Sequence, residues 1–399
     1  MKTVAVLGGG PAGAFAAERL AAAGLKTTLF DEKLAWEKPC GGGLTYKAYH
    51  QYPFLVENDT PKKFVTETTL SAPRAGAVKM QLERPLVIYS RMDLNRMLLD
   101  RAEKSGAAIE QTRVMGMERR GAGLNGGWNL RTRCGTAHAD FCIVATGARN
   151  PLREVGTEWG AKDTMTALGY YVQSSQDHID IQFLPRLEGY IWVFPRCGHL
   201  SVGICGKGEP ASALRTRLEA YMTERGISYK EGKFYSHMLP SLETPGWRSN
   251  RVSGEGWLAV GDAGGLVDPI TGEGLYYAMR SGDLASRVVI DDAHGIAEKA
   301  AAYKAILARE FALDLEFAAT LAKRVFLGSF LFNSVPARMV QYIRSSPRFR
   351  ALMQDLFAGT QPYGELKSRL LRNLNGTLQE VLMNFFLNRV IPENSRVVL

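Results

Sequence analysis

The first thirteen residues leave this chain few folds to choose from. Thr3-Val-Ala-Val-Leu7 is a short apolar run, and Gly8-Gly-Gly-Pro-Ala-Gly13 follows it directly. The pair reads as a buried strand, a tight glycine turn and the first turn of a helix. Gly8, Gly10 and Gly13 occupy the three spaced positions of a dinucleotide-binding fingerprint. The first permits the turn, the second lets backbone approach a pyrophosphate, and the third lets helix pack on strand. With Pro11 and Ala12 between them, these residues would offer a diphosphate the free N–H groups of a helix N-terminus.

The next stretch completes the unit. Ala14 to Gly24 is an alanine-rich helix ending at glycine, and Leu25 to Phe30 is a second apolar strand. Asp31 closes that strand about 20 residues after the glycines, where an acid accepts bonds from a ribose 2′-hydroxyl. Glu32 is the adjacent alternative; Asp31 is preferred because it falls at the strand end.

At 399 residues the chain can bury a large core, and two joined domains are expected. Its 46% hydrophobic and 22% charged residues are ordinary for a globular protein. The net charge of +9 suits an acidic cofactor, an anionic substrate or an anionic membrane surface, and equally a solvated basic surface with no partner. Without a dense basic helix or a recognition module, no nucleic acid partner is expected. The five cysteines, an odd number without metal-ligand spacing, imply a reducing compartment and no metal site. Lys2 and the apolar start imitate a signal peptide, but cleavage there would destroy the unit that Asp31 completes. No stretch has the length and purity of a membrane span, so a cytoplasmic protein is expected.

Further along, Pro39-Cys-Gly-Gly-Gly43 cannot be a helix interior or central strand and reads as a loop laid over a flat ring. Phe64 to Ser90 is strand-rich. Ser90 caps a helix running to about Ser105, and Arg91 at its start can reach a cofactor phosphate or lie on the surface. Ile109–Arg119 and Trp128–Arg133 read as two strands joined by a glycine-rich turn at 121–127. Ala139 to Gly147, with Ala145 near its end, is a buried strand ending in Thr-Gly. Between Gly169 and Cys205, four short alternating runs imply an antiparallel sheet, with a helix over Ala211–Glu224 capping it.

A second nucleotide-type segment follows this sheet. Gly256 to Arg280 reads as a strand, Gly261-Asp262, a loop with Asp268-Pro269, a Gly272-Glu-Gly274 turn, and a helix from Leu275. Asp262 at a strand end suits a ribityl hydroxyl. The helix start at Gly274 suits the pyrimidine edge of a flavin, where reduction creates negative charge. Lys299 to Leu399 is mainly helical. Its apolar stretches, Leu321–Tyr342 and Val381–Val390, are explained chiefly by core packing, with a greasy tunnel or a monotopic lipid contact as the other reading.

Taken together, these motifs resemble the geranylgeranyl reductase family, within the glutathione-reductase-like and aromatic-hydroxylase-like FAD fold. The matches are Pro39-Cys-Gly-Gly42, Arg91 with Asp93, Tyr190-Ile-Trp-Val-Phe-Pro195 with Val202-Gly203, Gly261-Asp262 through Asp268-Pro269, Thr271-Gly-Glu-Gly-Leu275, and Ala358-Gly359 with Tyr363 and Leu366. The resemblance implies an α/β protein. A Rossmann-like FAD-binding domain (1–58, 85–150, 250–298) would carry an inserted antiparallel-sheet substrate domain (59–84, 151–249) and a helical C-terminal region (299–399). It implies FAD held by Gly8, Gly10, Pro11, Ala12, Gly13, Asp31 or Glu32, Cys40, Gly41, Gly42, Arg91, Ala145, Gly147, Gly261, Asp262, Asp268, Pro269, Gly272, Gly274 and Leu275. The catalytic residues it implies are Cys40, near the flavin face to assist proton delivery or to pack there, and Tyr190, Trp192 and Phe194, bordering the substrate cavity. The implied activity is reduction of carbon–carbon double bonds in an isoprenoid or similarly apolar small molecule. The alternatives are a flavin monooxygenase or halogenase, for which Lys38 and Lys47 are the available lysines, and an FAD-bearing binding or electron-transfer protein. With no second glycine fingerprint, electrons would come from docked NAD(P)H or from a reduced redox partner protein. Peripheral membrane contact is compatible with an apolar substrate.

Overall fold

The computed structural model describes residues 3–120, 127–152, 155–330, 332–366, 368–372 and 376. The opening βαβ unit is β1 (Thr3–Leu7), α1 (Pro11–Ala22) and β2 (Lys26–Phe30). A short strand β3 (Gly43–Leu44) and helix α2 (Tyr46–Gln51) lead into a long hairpin, β4 (Lys62–Ala72) and β5 (Gly76–Tyr89). Along β5, Val78, Met80 and Leu82 are buried while Lys79, Gln81 and Glu83 are exposed, the alternation of a sheet with one covered face. β5 crosses the 84/85 boundary between the expected domains.

After α3 (Arg91–Lys104) and β6 (Ala108–Glu110) comes a three-stranded meander, β7 (Val114–Arg119), β8 (Trp128–Thr132) and β9 (Gly135–Ala139). The single strand expected over Ile109–Arg119 is therefore two, in different sheets. Most of the expected turn at 121–127 lies outside the described residues. β10 (Phe141–Val144) returns beneath the first unit. The next group is β11 (Thr164–Val172), β12 (Ile179–Phe183), β13 (Glu188–Pro195), β14 (Leu200–Lys207), α4 (Ala211–Glu224) and β15 (Lys233–Pro240). Then come α5 (Thr244–Ser249), β16 (Ser253–Gly254), β17 (Trp257–Ala259) and α6 (Leu275–Ile290).

Two sheets organise the molecule. The first has the order β16-β17-β10-β1-β2-β6 and is parallel apart from the β16–β17 pair. Because helices and the meander cover both faces, β1 and β10 are buried almost throughout, as uninterrupted apolar runs should be. The second has the order β15-β11-β14-β13-β12-β4-β5-β3, with one parallel pair where β12 meets β4.

The C-terminal region begins with α7 (Ile296–Leu307) and α8 (Leu313–Leu327). A small hairpin, β18 (Ser329–Phe330) with β19 (Asn333–Ser334), precedes α9 (Val335–Ser345) and α10 (Pro347–Ala358). The apolar stretch 321–342 is thus divided between two helices and the hairpin. Gly328 ends α8 in an extended conformation, and Ser334 starts α9 by accepting a bond from the Ala337 amide at 3.3 Å. The other apolar stretch, 381–390, lies outside the described residues. Among the described residues no helix is long and apolar enough to cross a membrane.

Candidate functional site: a cofactor cradle opening into an apolar cavity

The two outer fingerprint glycines are required by the chain's own packing. Gly8 has φ +118°, and a Cβ there would lie 2.2 Å from the Ala145 carbonyl oxygen. A Cβ on Gly13 would lie 1.9 Å from the Gly8 carbonyl oxygen. Gly10 is different: a Cβ there would meet no protein atom within 4 Å. Gly10 is also the N-cap of α1, and no side chain caps that end. Open space therefore stands before a helix N-terminus whose amides lack a side-chain acceptor, as a diphosphate requires.

Asp31 and Glu32 have separate surroundings. Asp31 Oδ2 accepts a bond from the Gly9 amide at 2.6 Å, and Oδ1 accepts from Lys33 and Leu34. The acid thus stands against the glycine turn and fixes the strand end. Glu32 faces Arg113 at 3.3 Å and Arg133 at 3.9 Å. Ala145 continues β10 beside Gly8, its amide donating to Leu7 O, and Gly147 follows with φ +81°.

The glycine loop 41–43 is held by a clamp the sequence did not reveal. Arg196, only 1% exposed, pairs with Glu37 and donates to the carbonyls of Cys40 and Gly41. Glu37 also accepts from Ser90 Oγ and from the amides of Arg91 and Met92, so it ties the loop to the start of α3. Burial opposes its charge, but Arg196 and these donors hold its carboxyl below the ordinary glutamate range. The flat ring this loop meets in the chain itself is Phe194, which would lie 3.2 Å from a Cβ on Gly41 and 3.0 Å from one on Gly43. The Cys40 thiol accepts from the Gly42 amide at 3.3 Å.

Cross-strand register explains the wall above. Phe183, Tyr190, Cys205, Ala167 and His237 stand opposite one another across five strands, and Ile181, Trp192, Gly203, Gly169 and Tyr235 form the adjacent row. The Trp192 ring crosses the place a Gly203 side chain would fill, 2.3 Å from its Cβ position. Tyr190 donates to Thr271 O, fastening the wall to the turn before α6.

That turn carries the remaining expected residues. Asp262, on the loop after β17, pairs with Lys38 at 3.0 Å. Despite burial its carboxyl is held low, by Lys38 and then His237. Both oxygens of Asp268 are engaged within the protein: Oδ1 accepts from the Ile270 and Thr271 amides, and Oδ2 from the Tyr363 hydroxyl at 2.8 Å. Asp268 thus shapes the turn while lining the cavity with Gly272, Gly274 and Leu275, Gly274 being the N-cap of α6, and Pro269 is not on the lining. Lys47 places its ammonium 4.6 Å from the Tyr276 ring.

These pieces enclose one cavity of about 1820 Å³. Its cradle end is lined by Pro11, Arg91, Asp262 and Gly274, its wall by Tyr190 and Trp192, and its far end by Met339, Leu352 and Phe357 from α9 and α10. Four buried polar atoms on its lining have no hydrogen-bond partner among the described residues: Thr45 Oγ1, Arg91 Nε, Trp192 Nε1 and His237 Nε2. Arg91 is 3% exposed, so an unpartnered guanidinium nitrogen there calls for an anionic or polar ligand. Together with the open Gly10 cradle, this fits FAD. His237 sits on β15, a strand too weakly alternating to be read from sequence. Burial, with Lys38 and Arg91 nearby, pushes its imidazole down to about 4.

The fold and this cradle define an FAD-binding oxidoreductase fold with a deep apolar chamber. Residues 2–177 match the pyridine nucleotide-disulphide oxidoreductase family. The chain is 28% identical over 320 residues to the chloroplastic geranylgeranyl diphosphate reductase of Arabidopsis thaliana, covering 72% of this chain and 65% of that enzyme's length. It is 26% identical over 373 residues to the menaquinone reductase of Mycobacterium tuberculosis, covering 84% and 87%. A geranylgeranyl bacteriochlorophyll reductase-like protein from Thermoplasma acidophilum superposes with a TM-score of 0.75 at 22% identity, over 93% of this chain and 99% of that one. Over most of its length the chain is thus similar to geranylgeranyl diphosphate reductases, and its fold is that of a geranylgeranyl-reductase-like protein.

Proposed function

We propose that this protein is an FAD-dependent reductase that saturates carbon–carbon double bonds in an isoprenoid or similarly apolar chain. The observation that carries this reading is the continuity of the cavity: one space runs from the cofactor residues Arg91, Asp262 and Gly274 to the apolar surfaces of α8, α9 and α10. FAD in its reduced form supplies the hydride. The chain's own residues do the rest. The α1 N-terminus and Arg91 hold the diphosphate, and Asp262 and the α6 N-terminus address the ribityl and pyrimidine portions. Tyr190 and Trp192 pack against the alkene, exclude water and fix its distance from the cofactor. Cys40 and Phe194 keep the glycine loop in place beside it.

The halogenase or monooxygenase alternative needs a lysine placed to handle an activated oxygen species. Lys38 is committed to Asp262, and Lys47 lies over Tyr276. An electron-transfer protein would need only a shallow polar site, which a cavity of this depth does not favour. An apolar substrate also suits a protein that works at a membrane surface, with NAD(P)H or a protein carrier as electron source.

The test is anaerobic incubation of the dithionite-reduced, FAD-loaded protein with a panel of prenyl alcohols, diphosphates and quinones, followed by mass analysis. Gain of two hydrogens per double bond is the expected result. Absence of any saturated product, or a product that forms only with oxygen, overturns it.

A further inference from the structure

We propose that Glu273, on the turn between Gly272 and Gly274, is the acid that protonates the alkene. This inference rests on the reductase reading above. Saturation of an alkene requires a hydride at one carbon and a proton at the other, so the cavity must present a group that carries a proton where the substrate lies.

Five other protic groups on the lining are spent or poorly suited to this. Asp262 is ionised against Lys38. His237 is neutral at physiological pH, and an imidazole N–H is a feeble acid. The Cys205 thiol, directed at Tyr190 O, is pushed up by burial to about 12. Tyr190 spends its hydroxyl on Thr271 O, and burial raises it well above the ordinary phenol range. Asp268 has both oxygens engaged by its own turn and by Tyr363.

Glu273 remains. Its side chain lines the cavity, and Oε1 accepts a bond from the Tyr276 amide at 3.3 Å, beside the Thr45 hydroxyl. The groups that face it are Lys47 of α2, Tyr190 of β13, Tyr276 and Tyr277 of α6 and Asp268 of its own loop, with Asp314 of α8 behind Lys47. Burial pushes its carboxyl up to about 7. The Asp268 charge acts in the same direction, against the Tyr276 amide, Thr45 and Lys47. It is thus a carboxylic acid still carrying its proton near neutral pH, fixed at the N-terminus of the helix that addresses the cofactor.

The balance closes without another reagent. One alkene carbon receives hydride from reduced FAD and the other receives the proton as the Glu273 O–H bond breaks. The π bond is replaced by two C–H bonds, and FAD is left oxidised. The carboxylate, stabilised by the Lys47 ammonium, recovers its proton from water.

The experiment compares FAD-loaded wild type with E273Q and E273D. Anaerobic stopped flow follows reoxidation of the reduced protein by geranylgeraniol across neutral pH. The wild-type rate is expected to fall as pH rises through about 7, where Glu273 ionises. E273Q should retain FAD and its reduction by dithionite, but reoxidise about 10²–10⁴-fold more slowly with no such pH step. E273D keeps the acid at shorter reach and should give an intermediate rate with a pH step, which keeps the test decisive if the amide variant folds poorly. A second readout needs no turnover: infrared difference spectra of the FAD-loaded protein should show a protonated carboxyl band that titrates near pH 7 and is absent in E273Q. Wild-type rates and pH dependence in E273Q, or no titrating band in wild type, overturn the assignment. A wild type that no prenyl alkene reoxidises defeats the reductase reading first, and this assignment with it.

Discussion

Gly10 and Gly13 are three residues apart and carry the same side-chain absence for different reasons. A valine at Gly13 would drive its Cβ into the Gly8 carbonyl, whereas one at Gly10 would enter empty space. Gly13→Val is therefore expected to lose the folded state. Gly10→Val should keep the melting temperature of the cofactor-free protein while weakening FAD, measured by fluorescence titration of the released flavin. Equal affinity in wild type and G10V would remove the cradle assignment. Trp192 invites the second residue-scale prediction. Its ring stands on the cavity lining over Gly203, so Trp192→Ala should retain FAD but slow reoxidation by long prenyl substrates by about 1–3 kcal/mol of lost apolar contact. Short soluble alkenes should be affected less. A parallel fall in melting temperature and FAD content, with no substrate dependence, would make Trp192 a packing residue instead. The fingerprint was legible in sequence because backbone requirements impose a local pattern. Glu273 was not, because it sits inside a motif whose glycines explain its spacing, and its acidity depends on burial.

At the scale of elements, the glycine loop, α3 and β13–β14 are joined by one ion pair. Removing the cation in Arg196→Leu leaves the half-buried Glu37 without its ion-pair partner, a destabilising change although Ser90 and two backbone amides still reach the carboxylate. The Gly41 carbonyl loses its side-chain donor as well, and the Cys40 carbonyl is left with Ser201 Oγ. The expected outcome is a lower melting temperature and looser FAD; unchanged values for both would show the clamp to be dispensable. The pair also has a pH signature. Glu37 ionises more readily folded than unfolded, so its contribution is present above the unfolded glutamate value, about 4.3, and is lost as pH falls through its lower folded value. Glu37→Gln should accordingly show a shallower acid decline in melting temperature than wild type. None of this could be read from the chain, since Glu37 and Arg196 lie 159 residues apart and no local pattern couples them. The antiparallel strands were legible because alternation is local. β15 was missed because Lys233-Phe-Tyr-Ser-His-Met-Leu-Pro240 mixes polar and apolar residues irregularly, and His237 was missed with it. In the C-terminal region the apolar residues were visible, but Gly328, Ser334 and Pro336 divide them into two helices around a hairpin.

Across the whole molecule, the glycine turn of the cradle and the far end of the apolar chamber come from opposite ends of the chain. The chamber's depth should set the length of substrate accepted. Met339 lines its far end on α9, so Met339→Trp is expected to spare short prenyl alcohols and slow long ones by about tenfold or more. Equal loss for every chain length, read by stopped-flow reoxidation, would place the substrate elsewhere. The parallel sheet beneath the cradle has a consequence for biosynthesis. β1 waits for β10, and β10 in turn pairs Cys142 with Trp257, which is encoded much later. At ~5–20 residues per second, Trp257 leaves the peptidyl-transferase centre roughly 6–23 s after Val144. Until then the Phe141–Val144 edge, all apolar, has no neighbour on that side. A nascent chain arrested between these two strands would carry an open template for aggregation, and a cell making this protein quickly would lean on its chaperones during that interval.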